Sequence, residues 1–181
     1  MELTFLGGAS EVGASCTILQ LADHCLLIDG GMRPAAREGQ SKLPDLTLLE
    51  ATPPEALLIT HAHIDHTGAL PLIASLYPHI PIYATESTRV LTEILLRDSV
   101  HIMQQEELKP DGETPLYNAE QVDTLLGRIR PMSFLQPFAP IPSAPDITVQ
   151  YLPAGHILGA AMLFFETREG KLFHNRGYLC D

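Results

Sequence analysis

The stretch Ile59–Leu70, ITHAHIDHTGAL, sets four metal-competent side chains, His61, His63, Asp65 and His66, within six positions of one another. In extended or loop backbone, residues two apart project to one side, so the imidazoles of His61 and His63 can reach one ion. Asp65 and His66 follow where a helical pattern begins. They either face a second ion beside the first, or one of them supports the ligands from outside. Core packing does not explain the cluster, because burying that many polar groups costs several kcal/mol unless each finds a partner. Zinc accepts imidazole nitrogen and carboxylate oxygen, and catalytic zinc sites keep a position open for water. Two ions a few ångströms apart suit displacement at a phosphodiester.

The sequence before the cluster reads as strands. LTFLGG (3–8) enters a glycine-rich loop, CTILQLAD (16–23) and HCLLIDGG (24–31) form a tight hairpin, and PEALLIT (54–60) is a buried strand that delivers the chain into the cluster. Between them MRPAAREGQSKLP is polar and irregular. After the cluster, Thr67 to Leu76 has helical spacing and stops before Pro78, and IPIYA (80–84) is a short strand. Thr85 to Leu108 predicts the longest helix, with Ser87 as N-cap and Val90, Leu91, Ile94, Leu95 and Ile102 on its apolar face. A second helix starts at the Asn118 cap, with Val122, Leu125, Leu126 and Ile129 inward. ITVQYLPAGH (147–156) is a strand ending in a loop, and AAMLFFETREGKLFH (160–174) is a hairpin turned at Arg168-Glu169-Gly170. Strands at both ends with helices between them predict a layered α/β arrangement.

The 181 residues suit one domain or a large part of one, and 45% hydrophobic content is enough for a buried core. No apolar run is long enough to span a bilayer, so no membrane partner is expected, and MELTFLGG lacks the pattern of a signal peptide. Cys16, Cys25 and Cys180 are odd in number and widely spaced, which argues against a disulfide framework and for a cytoplasmic chain with spectator thiols. A net charge of −11 disfavours generic attraction to a nucleic-acid backbone without excluding a local basic channel.

His156 sits in a Gly155-His156 turn after a strand, where a loop side chain can reach the rim of a sheet. Because the HAHIDH cluster needs another nitrogen donor, His156 reads as a ligand. Asp29, in IDGG, reads equally as a turn residue or as a partner of the ligand histidines. His24, His79, His101 and His174 carry no partner pattern and read as structural or solvated. Ser10 and Glu11 lie in a loop able to approach the site, with no role assigned.

LITHAHIDHTGALP resembles the signature of the metallo-β-lactamase fold. FLGGASEVGAS, LLIDGG, PIYATEST and above all LPAGHILGAA resemble the β-CASP branch of RNA-processing nucleases, along nearly the whole chain. The resemblance implies an αββα sandwich, of which this chain carries the first half plus connecting helices. It implies a first zinc held by His61, His63 and His156, and a second held by Asp65 and His66. Asp65 would also orient and deprotonate the attacking water, His66 would join it in catalysis, and Asp29 would stand behind the ligands. The implied activity is hydrolysis of RNA phosphodiesters by a metal-bound hydroxide, with RNA as partner and a homodimer as the common assembly.

The pattern then departs. The branch carries Thr/Ser-Gly-Asp after this hairpin, where positions 175–177 read Asn175-Arg176-Gly177. A single extra nucleotide ahead of Thr-Gly-Asp codons yields Asn-Arg-Gly-Tyr, the order found at 175–178. Residues 1–174 are therefore expected to form the N-terminal part of the domain, and 175–181 an atypical, frame-shifted tail. The coding DNA decides that, since another frame must then restore Thr-Gly-Asp. Two other readings stand beside the nuclease: a hydrolase of a small ester or thioester on the same fold, favoured by the acidic charge, and a truncated, non-catalytic metal-binding remnant, favoured by the missing aspartate.

Overall fold

The computed structural model describes residues 1–37, 39–110, 112–168 and 170–174. Residues 175–181, and with them the expected tail, lie outside the described residues. The chain runs β1 (Glu2–Gly7), β2 (Cys16–Leu21), β3 (His24–Ile28), α1 (Leu48–Ala51), β4 (Ala56–Leu58), α2 (Ile64–Thr67), α3 (Leu70–Leu76), β5 (Ile82–Thr85), α4 (Glu86–Glu107), α5 (Ala119–Arg128), β6 (Ile129–Met132), β7 (Thr148–Pro153), β8 (Ala161–Thr167) and β9 (Gly170–His174).

Two sheets result, one in the order β1-β2-β3-β4-β5-β6 and one in the order β7-β8-β9. The predicted hairpin is present, with Thr17 opposite Ile28 and Leu21 opposite His24 in antiparallel register. From β3 onward the larger sheet is parallel, and the connections run through helices. Alternation along these strands builds two cores. Ile18, Cys25, Leu27, Leu57, Ile59, Ile82 and Ala84 face the helices, with Leu70, Ile73, Leu96, Val122 and Leu125 against them. Leu19, Leu26, Ile28, Leu58 and Tyr83 face the smaller sheet and meet Val149, Tyr151, Leu163 and Phe165. Each fully buried leucine contributes about 2 kcal/mol relative to exposure. The layers are helices, sheet and sheet, an α/β architecture amounting to the first part of an αββα sandwich.

Two expectations for α4 are corrected. The N-cap is Thr85, whose hydroxyl accepts from the Thr88 N–H, rather than Ser87. The buried face is Thr88, Thr92, Leu96, Ser99 and Val100, while Val90, Ile94 and Ile102 are exposed. Threonine and serine let the helix approach its neighbours closely, and two of the hydroxyls find partners there, Ser99 accepting from the Tyr117 hydroxyl and Thr88 donating to the Gly159 carbonyl. The helical segment expected over 67–76 begins earlier and divides into α2 and α3. The α5 cap is as expected and forms a full capping box between Asn118 and Gln121. The edge strand β6 was not foreseen, because its Pro131 obscures the pattern. No helix among the described residues is long and apolar enough to cross a membrane.

Candidate metal centre

The carboxyl ends of β3, β4 and β5 deliver Asp29, the Thr60–His66 segment and Thr85 to one rim of the larger sheet. This is where open parallel sheets place their ligands. Asp29 has φ 61°, a left-handed conformation that aspartate tolerates better than most residues. The following glycines wrap the α2 backbone: the Gly30 N–H donates to the His66 carbonyl at 2.8 Å and the Met32 N–H to the Ile64 carbonyl at 3.0 Å. A Cβ on Gly31 would stand 1.7 Å from the Asp65 carbonyl oxygen, so only glycine fits there.

The Asp29 carboxylate is fully buried and accepts three hydrogen bonds. They come from the Thr60 N–H at 2.8 Å, the Thr60 hydroxyl at 2.8 Å and the His66 Nδ1–H at 2.7 Å. Burial alone would raise its pKa, but the neighbouring His66, His61 and Thr60 together hold it below the usual carboxylate range. With the Thr60 hydroxyl directed at Asp29, the His61 Nδ1–H donates to the Thr60 oxygen at 3.0 Å. This network engages the Nδ1 side of both rings, His61 through Thr60 and His66 through Asp29, so the ring nitrogen left to serve as a ligand is Nε2. Burial pushes the His61 imidazole down to about 3, aided by His66, which keeps it neutral at physiological pH. Burial likewise lowers His63, and nearby His156 adds to the effect.

His156 arrives from the other sheet, on the loop after β7. Its Nε2 lies 3.2 Å from Nδ1 of His63, and the ring centroids of His61 and His63 stand 5.0 and 4.9 Å from its own. One ligand atom from each of the three histidines falls within 4.8 Å of the others. Two nitrogens bound tetrahedrally to one zinc stand about 3.4 Å apart, so the spacing and the all-imidazole donor set fit a single ion of that kind. The three histidines could hold a metal. Asp65 and His66 form a neighbouring pair, with Oδ2 to Nε2 at 3.7 Å and the carboxylate partly exposed.

Thr60 was not singled out from sequence, although it orients His61 and Asp29 together. Its signal is a hydroxyl between the strand and the first histidine. Glu11 lies in the loop beside Arg33, which binds it through both Nε and Nη2 and ties two loops next to the site. Among the remaining histidines, His24 pairs with Glu55 at 3.0 Å and His101 contacts Gln105 at 2.8 Å.

Comparison with known proteins defines the class. A family model described as Metallo-beta-lactamase superfamily matches residues 9–160. The chain belongs to the metallo-β-lactamase superfamily. It is similar to a protein named transcription termination factor FttA from Cenarchaeum symbiosum, at 32% identity over all of this chain but 27% of that protein. It is similar also to a protein named endoribonuclease ysh1 from Aspergillus fumigatus, at 34% identity over 89% of this chain and 18% of the relative. The chain thus spans about a quarter or less of these relatives, and their names agree with the β-CASP resemblance. Among solved structures, Rm3 metallo-beta-lactamase superposes with a TM-score of 0.54 at 18% identity, covering 94% of this chain and 56% of that one. A protein of unknown function from Enterococcus faecalis V583 gives 0.60 at 16%, covering 94% and 42%. Both show the fold.

Proposed function

We propose that this chain carries the first-metal half of a zinc-dependent phosphodiester hydrolase acting on RNA. The observation that supports the reading most directly is the 3.2 Å approach of His156 Nε2 to His63 Nδ1, from two different sheets. His61, His63 and His156 would hold one zinc, and Asp65 and His66 would contribute to a second. Bound zinc supplies a water nucleophilic near neutral pH and a Lewis-acid hold on phosphate oxygens. With such an ion bound, the partly exposed Asp65 would be the carboxylate available to orient the water and accept its proton. Asp29 and Thr60 keep His61 and His66 turned with Nε2 forward, the outer-shell support that ligand histidines generally need. RNA as substrate rests on the relatives' names and the β-CASP resemblance, and so does a homodimeric assembly on the resemblance alone.

A second reading is a chain that binds one ion and does not hydrolyse. It is favoured by Asp65 and His66 being only a pair among the described residues. Metal content by mass spectrometry, alongside assay on single-stranded RNA, separates the two. Two zinc ions per chain and cleavage lost in His63→Ala support the hydrolase. One ion or none, with no turnover, supports the second reading.

A further inference from the structure

His61 and His66 each have the remote ring nitrogen tied to a side chain, the Thr60 hydroxyl and the Asp29 carboxylate. His156 does not: its Nδ1 is buried and has no hydrogen-bond partner among the described residues. Its placement therefore rests on the loop that carries it. That loop is pinned at its far end. The Ala161 N–H donates to the Thr60 carbonyl at 2.9 Å, and the Gly159 carbonyl accepts from the Thr85 hydroxyl at 2.8 Å and the Thr88 hydroxyl at 2.9 Å. Both threonines are buried, so water does not replace them. Gly159 has φ +83°, and a Cβ there would lie 2.5 Å from the Thr88 nitrogen, so the loop presses directly on the first turn of α4.

Thr85 is the N-cap of α4, which accounts for its oxygen accepting the Thr88 N–H but not for where its O–H donates. Thr88 is not a cap. A helical threonine ordinarily returns its hydroxyl to a carbonyl one turn back, whereas this one reaches across to the loop. We propose that Thr85 and Thr88 are positioning residues for His156: their hydroxyls, clamped on the Gly159 carbonyl, set the height at which its Nε2 meets His63. The inference rests on the metal reading above and concerns how one of its ligands is held.

The test compares Thr88→Val, Thr88→Ser and Thr92→Val in the full chain. Thr92 lies one turn along the same buried face and its hydroxyl has no hydrogen-bond partner among the described residues, so it controls for loss of a buried hydroxyl. The readouts are Zn2+ affinity by competition with a chromophoric chelator, the visible spectrum of the Co2+-loaded chain, and melting of the metal-free chain. Thr88→Val is expected to lose about tenfold in Zn2+ affinity, the lower range for outer-shell changes, and to alter the Co2+ spectrum with little change in metal-free melting. Thr88→Ser restores both, and Thr92→Val matches wild type. Wild-type affinity in Thr88→Val, equal weakening in Thr92→Val, no rescue by serine, or a Thr88→Val chain unfolded without metal each overturns the clamp. A wild-type chain that binds neither Zn2+ nor Co2+ removes the metal reading itself, and is told apart because all four proteins then behave alike.

Discussion

The two segments that supply the candidate ligands are built differently. The Thr60–His66 segment is knitted into the larger sheet through a buried carboxylate with three donors, and α2 is wrapped by glycines too close to carry side chains. The loop from Ala154 to Ala160 has no such carboxylate and is held through its backbone. The contrast teaches that the first segment couples the site to folding, whereas the second couples it to the docking of one sheet on the other. Damage to the first should appear as lost stability even without metal. Damage to the second should appear as lost metal affinity.

The largest effect is expected at Gly31→Ala. Its new Cβ meets the Asp65 carbonyl, and displacing that backbone should destabilise the metal-free chain by about 4 kcal/mol, read in urea unfolding. A change under 1 kcal/mol would mean that the wrapping is looser than the contact implies. Next comes Asp29→Ala, which strands the Thr60 and His66 donors in a buried place and should cost about 3 kcal/mol.

Acid gives a third comparison. An unfolded His61 takes up its proton near 6.5, while the folded one refuses it until about 3. The folded state therefore binds fewer protons between those values. The contribution of His61 to stability is complete above about 6.5 and is lost as pH falls towards 3. In chelator, the urea midpoint of wild type should drop between pH 7.5 and 5, and that of His61→Gln should drop less; parallel midpoints would break the argument. The smallest change in stability is expected for His156→Ala. This half-buried loop residue should alter metal-free stability by no more than about 0.5 kcal/mol while Zn2+ affinity falls by far more than tenfold. Equal losses in both measurements would erase the contrast between the two segments.

Much of this arrangement was legible in the sequence, for reasons particular to each element. The β2–β3 hairpin and β4 announce themselves through short apolar runs bounded by turn residues, and α5 through Asn118 ahead of an apolar face. The histidine cluster is local, so its spacing alone shows that His61 and His63 can converge. The face of α4 was misread because hydropathy favours Val90, Ile94 and Ile102, while the helix docks through hydroxyl-bearing Thr88, Thr92 and Ser99. Thr60, and the threonines that reach Gly159, stayed invisible because their partners lie on other elements. A lone threonine carries no period and no charge to betray such a bond.

His63 and His156 are 93 positions apart. An ion joining them would act as a cross-link, much as a disulfide does. By the chain-entropy model for a loop of that length, such a tie disfavours the denatured ensemble by about 4.6 kcal/mol. For this molecule, then, metal supply would also be a matter of shelf life: chelation would shorten how long the chain survives heat and proteases, quite apart from any chemistry it performs.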